Sequence, residues 1–139
     1  TTQREILALL RGLVTAKGLS LLFVTHDFGV LAALCDRVTV LYAGRVVETG
    51  LTSEVLRNPQ HPYTRLLLAC HPDRAISLTG IPGTVPAATQ QPEGCRFHPR
   101  CPIARPACSK EVPALRQLEE AHLVACPWYA DALPEQALA

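Results

Sequence analysis

Apolar positions at the start of the chain recur with the period of an α-helix, at Ile6, Leu9, Leu10, Leu13 and Val14. Lys17 falls in the last turn of this pattern, and Gly18 stands just past it, where helix C-termini favour glycine. The pattern predicts an amphipathic helix that ends at residue 17.

A short and nearly continuous apolar run, residues 19–25, follows this helix. Such runs are typical of strands buried on both faces of a parallel sheet. Asp27 can then cap a helix that continues to about Cys35. His26 therefore lies at the carboxyl end of a predicted strand, where open α/β sheets bind ligands. From spacing alone, a hydrogen-bonded loop histidine is the more frequent case.

The next predicted elements are a strand over residues 37–42, a turn at Ala43-Gly44, a strand over 45–50, a helix from Thr52 or Ser53 to Pro59, and a helix over 61–70. The two strands are joined by only two residues, so they predict an antiparallel hairpin. Together these elements indicate an α/β fold class, with a first unit over residues 1–70.

Proline divides the chain into two regions. All twelve prolines lie between Pro59 and Pro134, and four of them fall in residues 71–94 together with three glycines. We therefore predict an extended connector over residues 71–94, a cysteine-rich segment over 95–128 and a frayed tail over 129–139.

Composition narrows the classes of function. Apolar residues make up 48% of the chain and charged residues 18%, as in a globular protein, and the net charge of +1 gives no basis for a nucleic-acid partner. The longest apolar run is far shorter than the roughly 20 residues of a membrane span, and no signal-peptide pattern is present. We expect the protein to function in a reducing cytosol. Because the helical pattern is already present in the first turn, we also expect that this sequence starts inside a longer protein.

The cysteine-rich segment contains four closely grouped cysteines, Cys95, Cys101, Cys108 and Cys126. Four thiolates complete the ligand set of either Zn²⁺ or an iron–sulfur cluster. Zinc sites usually use cysteine pairs at close spacing, whereas the separated irons of a cluster suit wider intervals. Zinc and disulfide pairing stay open as alternatives. His98 and His122 are either zinc ligands or residues that neighbour the site or lie on the surface.

Few large apolar residues accompany these cysteines, so folding of this segment is predicted to depend on the bound metal. Cys35 and Cys70 lie in helical segments, where packing as small hydrophobic residues is the expected role.

Three stretches closely resemble the end of an ABC-transporter ATPase domain, namely LLFVTHD (21–27), CDRV (35–38) and LYAGRVVETG (41–50). Three more resemble the ATP-binding subunits of dipeptide and oligopeptide importers, namely EVL (54–56), NP (58–59) and HPYT (61–64). The resemblance extends to about Trp128. It implies the C-terminal part of a P-loop ABC-type ATPase domain, followed by a small cysteine-rich metal-binding segment.

The resemblance assigns a catalytic role to one residue. His26 matches the switch histidine that contacts the γ-phosphate and helps to position the attacking water. The intact subunit is then expected to use ATP and Mg²⁺, to work with transporter membrane subunits and a second ATPase subunit, and to lie peripherally on the cytoplasmic face of the cell membrane. No G-x-x-x-x-G-K-[ST] loop, signature motif or acidic Walker B strand occurs in the 139 residues, so this chain alone should be inactive.

The cysteine-rich segment also resembles this family, through GCRFHPRCP (94–102). In some members four such cysteines bind a 4Fe–4S cluster, whose negative charge the nearby Arg96, Arg100, Arg105 and Lys110 could offset. The alternative function is a non-catalytic, metal-stabilised interaction module. The transported substrate is left open among dipeptides, oligopeptides and nickel.

Overall fold

The computed structural model describes residues 2–71, 80–134 and 137. Its elements are, in chain order, α1 (Thr2–Lys17), α2 (Phe28–Leu34), β1 (Arg37–Tyr42), β2 (Arg45–Leu51), α3 (Thr52–Arg57), α4 (Pro62–Ala69), two 3₁₀ turns (His98–Arg100 and Pro106–Ser109), β3 (Arg116–Glu119) and β4 (His122–Val124). The structure confirms the predicted α/β class, the four predicted helices and the predicted β1–β2 hairpin. Residues 72–79 of the predicted connector and 135, 136, 138 and 139 of the predicted tail lie outside the described residues.

Local sequence explains how these helices begin and end. The Asp27 carboxylate accepts a hydrogen bond from the Val30 N–H at 3.1 Å and so caps α2. The His61 ring nitrogen Nδ1 accepts from the Tyr63 N–H at 3.1 Å, and Pro62 occupies the first turn of α4. Gly18 adopts a φ of 61°, the left-handed conformation that ends α1.

The four strands form one antiparallel sheet in the order β1-β2-β4-β3. Ala43 and Gly44 both have positive φ, as a two-residue hairpin turn requires. Strands β3 and β4 were not predicted. They place part of the cysteine-rich segment beside β2, with Glu48 opposite Val124 and Thr49 opposite Leu123.

Within the described residues, one buried core joins the hairpin, helices α2, α3 and α4, and the cysteine-rich segment. Phe97 is completely buried, and its ring lies 5.0 Å from that of Tyr42 and 5.3 Å from that of Tyr63. Other members of this core are Leu31, Val38, Val40, Val47, Val55 and Leu66. The cysteine-rich segment therefore shares its apolar packing with the preceding unit.

Three arginines fasten the later chain to this core. Arg65 of α4 donates to the backbone oxygens of Tyr129 and Asp131. Arg100 donates to the backbone oxygens of Ile81 and Pro82, both at 2.7 Å, and to the Tyr42 hydroxyl. Arg96 donates to the Ala43 oxygen in the hairpin turn. Residues 80–94 contain no helix or strand and are fixed in part by these bonds.

The prediction of a buried strand over residues 19–25 is wrong for this structure. The segment is irregular, and Leu22 and Val24 are 93% and 91% exposed. A parallel strand needs neighbouring strands for its backbone hydrogen bonds, and within the described residues no strand pairs with this segment. Ile6, Leu9 and Leu13 of α1 are also exposed. No described helix combines the length and apolar character needed to cross a membrane.

Candidate functional site

All four cysteines of the cysteine-rich segment lie on the wall of one cavity of about 530 Å³. Cys95 and Cys101 flank the first 3₁₀ turn, Cys108 lies in the second, and Cys126 follows β4. The two 3₁₀ turns and the end of β4 thus bring together residues up to 31 positions apart in the sequence, Cys95 and Cys126.

Gly94 allows the two 3₁₀ turns to approach each other. The Cys95 N–H donates to the Cys108 backbone oxygen at 2.8 Å. Gly94 has a φ of 65°, and a Cβ built at this position would lie 2.4 Å from the same oxygen. Glycine is therefore required beside the first cysteine of the site for both conformational and steric reasons.

Backbone N–H groups point at the cysteine sulfurs. The N–H groups of Phe97, Ile103 and Trp128 each donate to the cysteine two residues earlier, and Arg105 donates to the Cys108 sulfur at 3.4 Å. These bonds favour the thiolate, which is the form that ligates metals.

Burial has the opposite effect on the pKa values of these thiols. It is the main cause that raises the pKa of Cys95, that of Cys101 to about 12 and that of Cys126 to about 11, and the charges of neighbouring cysteines raise them further. Metal-free Cys101 and Cys126 are consequently protonated at neutral pH, and a bound cation would have to displace their protons.

Neither a disulfide nor the predicted metal site is found at the four cysteines among the described residues. All six cysteines are free thiols, so the alternative of a disulfide is not present in this structure. Among the described residues, no group of three or more His, Cys, Asp or Glu side chains could hold a metal ion. The four thiols line one shared cavity. The basic residue on the cavity wall is Arg116, whereas Arg96 and Arg100 bond to backbone oxygens elsewhere.

Glu48 forms a buried polar centre that sequence reasoning missed. Its fully buried carboxylate accepts from the Gln60 N–H at 2.7 Å and the His61 N–H at 2.9 Å, and it lies 2.7 Å from Nε2 of His122. These contacts connect β2 to the start of α4 and to β4. The surface position considered for His122 is wrong, because this ring is only 6% exposed. An acidic residue within an alternating strand was the available signal.

Two other histidines lie near the cavity. His98 lines it, and its Nδ1 is 2.8 Å from the Cys95 backbone oxygen. His61 also lines it and is almost completely buried. Burial, assisted by the Arg65 charge, lowers the pKa of His61 to about 3, so this ring is neutral at physiological pH.

His26 lies apart from the cysteines. It is exposed, and it stands between the irregular residues 19–25 and the capped start of α2. The Asp27 N–H donates to the Thr25 hydroxyl oxygen at 3.0 Å, which fixes the backbone around the histidine. Its side chain is therefore open to a ligand or to a neighbouring part of a larger protein.

Residues 47–108 match the family model of the oligopeptide/dipeptide transporter C-terminal region. The matched segment begins within β2 and includes Glu48, His61 and the first three cysteines, whereas Cys126 lies beyond it.

Similarity to known proteins extends over nearly all of the chain. It is 44% identical, over an alignment of 135 residues that covers 91% of this chain, to a protein of Brucella ovis named as a peptide import ATP-binding protein. It is 42% identical, over an alignment of 132 residues that covers 93% of this chain, to a D,D-dipeptide transport ATP-binding protein of Escherichia coli strain K12. The chain spans 40% of the length of each of these relatives.

Proposed function

We propose that this chain is the C-terminal portion of the ATPase subunit of an ABC importer, which couples ATP hydrolysis to uptake of dipeptides or oligopeptides. The observation that carries this proposal is the similarity to peptide-import ATP-binding proteins over nine-tenths of the chain. The intact subunit would use ATP and Mg²⁺, pair with a second ATPase subunit and act on membrane subunits from the cytoplasmic face. The non-catalytic interaction module is not favoured by these relatives.

His26 is proposed to act on the γ-phosphate and the attacking water in the intact subunit. Its exposure supports this role, as does its place at the end of an apolar segment with Leu22 and Val24 uncovered. A parallel sheet supplied by the rest of a larger protein could bury those two side chains and fix the histidine at the sheet edge.

The experiment is ATP hydrolysis by the full-length subunit. His26→Ala should lower turnover about a hundredfold or more and leave the affinity for Mg-ATP nearly unchanged, because the lost contacts act mainly in the transition state. Calorimetric nucleotide binding is the control for folding. Turnover close to that of the parent in a variant that binds nucleotide normally would overturn the assignment.

Cys95, Cys101, Cys108 and Cys126 are proposed to hold a 4Fe–4S cluster. Their shared cavity and the N–H groups directed at their sulfurs support this assignment. When bound, the group would supply a covalent cross-link among the two 3₁₀ turns and the end of β4, and a one-electron redox centre. The chain's own contribution is four thiolate ligands, backbone donors to them and a half-buried cavity.

Iron and sulfide analysis of anaerobically prepared protein tests this cofactor. The expected result is a brown protein with iron and sulfide in equal amounts, both lost when any one of the four cysteines is replaced with serine. Cys35→Ser and Cys70→Ser are the matched controls, and both should keep the metal. One zinc per chain under iron-replete anaerobic conditions would overturn the cluster and retain the four ligands. An ordered segment with neither metal would overturn both.

A further inference from the structure

Cys95 and Cys108 are joined through the backbone as well as by the cavity that they share. The Cys95 N–H donates to the Cys108 backbone oxygen at 2.8 Å, and no other two of the four clustered cysteines share a main-chain hydrogen bond within the described residues. With standard bond lengths, this contact holds the two Cα atoms no more than about 6.7 Å apart. Disulfides join cysteines whose Cα atoms are about 4.4–6.8 Å apart, so this pair lies within bonding range.

The backbone around the pair fixes this close approach. A Cβ built at Gly94 would lie 2.4 Å from the Cys108 oxygen, so the two chain segments are in direct contact there. The Cys95 oxygen accepts from the His98 N–H at 3.0 Å, and the Cys108 N–H donates to the Arg105 oxygen at 2.8 Å. Each cysteine therefore lies in a turn closed by its own hydrogen bond, and neither turn has to move far for the two sulfurs to meet.

Both side chains lie on the same side of this backbone contact. Each lines the cysteine cavity, and each is partly exposed. Burial is the main cause that raises the pKa of Cys95, and Cys108 is the charged neighbour that raises it further, as expected for sulfurs that lie near each other. A small thiol-reactive molecule that enters the cavity can consequently reach one thiol with the second close behind it.

We propose that Cys95 and Cys108 are a redox-modification site, at which a low-molecular-mass disulfide of the glutathione type oxidises the metal-free protein to a reversible Cys95–Cys108 disulfide. One cysteine thiolate attacks a sulfur of the oxidant, whose S–S bond breaks, and this step forms a mixed disulfide and releases one small thiol. The second cysteine attacks the protein sulfur of the mixed disulfide and releases the other small thiol. The protein loses two electrons and two protons, and the oxidant gains them. Excess thiol in a reducing compartment reverses both steps.

The disulfide would change what the cavity offers. It would cross-link the two 3₁₀ turns and leave Cys101 and Cys126 as the remaining thiols on the cavity wall. A site with four available thiols would thus become a site with two. The bond itself needs no metal, so the inference does not depend on the ATPase or cluster assignments.

The test uses the full-length subunit, freed of metal with a chelator, reduced, and incubated with oxidised glutathione at neutral pH. Digestion with trypsin and mass spectrometry without reductant then locate the bond. Cleavage after arginine and lysine places Cys95 in residues 75–96 and Cys108 in residues 101–110. We expect these two peptides to be joined, with no glutathione attached, and to separate when a reductant is added.

Matched variants identify the partner of Cys95, because Cys101 falls in the same peptide as Cys108. The joined peptides should persist in Cys101→Ser and disappear in Cys108→Ser, and fragmentation of the joined peptides from the parent identifies the bonded cysteine directly. Oxidation in concentrated urea is the control for native geometry, since the unfolded chain favours the shorter loops that Cys101 closes with Cys95 or with Cys108.

A native bond from Cys95 to Cys101 or to Cys126, or glutathione retained on the separate cysteines, would overturn the inference. The same would follow if the joined peptides were lost in Cys101→Ser. Because these measurements are made on metal-free protein, either result leaves the iron and sulfide analysis and the ATP hydrolysis assay to be decided on their own.

Discussion

Replacement of Glu48 with alanine is expected to lower the free energy of unfolding by about 4 kcal/mol. The substitution removes the acceptor of two enclosed donors, the His61 N–H and the His122 ring, and of the half-buried Gln60 N–H. Each buried donor left unsatisfied costs about 1–3 kcal/mol, and breaking a buried pair costs about 3–5 kcal/mol. Domains of this size are stable by only about 5–15 kcal/mol, so the loss is a large fraction of the total.

A graded series keeps this prediction testable if the alanine variant does not fold. Glu48→Gln retains one acceptor oxygen and nearly the same shape, so about 1–2 kcal/mol should be lost. Glu54→Gln is the matched control on the neighbouring helix α3, where the carboxylate pairs with a 74% exposed Arg57 side chain. That control should leave stability unchanged within error, because exposed ion pairs contribute little.

The assay is urea unfolding at neutral pH, followed by circular dichroism, with the same denaturant slope required for all variants. The expected order of midpoints is parent equal to Glu54→Gln, then Glu48→Gln, then Glu48→Ala. A Glu48→Ala midpoint equal to that of Glu54→Gln would refute the reasoning, since the buried carboxylate would then contribute nothing net to holding β2, α4 and β4 together.

Two further substitutions test the site through stability. Gly94→Ala should lower the free energy of unfolding by about 2–4 kcal/mol in the same urea assay, because the φ of Gly94 is positive and an added Cβ would meet the Cys108 oxygen. Gly80→Ala is the control and should be neutral, because Gly80 lies in open space. Equal urea midpoints for the two variants would contradict the close approach at Gly94. The pKa of His61, about 3 when folded against 6.5 ordinarily, means that only the unfolded chain gains this proton on acidification, so stability should fall by about 2 kcal/mol between pH 7 and pH 5. His61→Asn keeps an acceptor at the helix cap and should weaken that pH dependence, and an unchanged slope would exclude His61 as its source.

Short-range signals in the sequence were enough for most of the first unit. The Asp27 cap, Pro62 at a helix start and the two-residue turn after Tyr42 act on the few residues next to them, so they predicted α2, α4 and the hairpin within a residue or two. The four grouped cysteines could also be identified from the sequence as candidate metal ligands, because four thiolates complete the ligand set of a metal or a cluster.

Long-range pairing decided the rest. Residues 19–25 have the composition of a buried strand, but a strand exists only where another strand satisfies its backbone, and the described chain offers none there. The reverse holds for β3 and β4, which are too short for a clear periodic pattern and are strands because β2 pairs with β4.

The chain by itself therefore determined the local elements and the set of candidate thiol ligands, since caps, turns and residue chemistry depend on nearby positions alone. Only the tertiary structure decided the position of Glu48 against His122, 74 residues away, and the enclosure of the Trp128 indole beside the cysteines. Both depend on burial, which makes a polar group costly unless it finds a partner, and burial is a property of the packed molecule rather than of any segment.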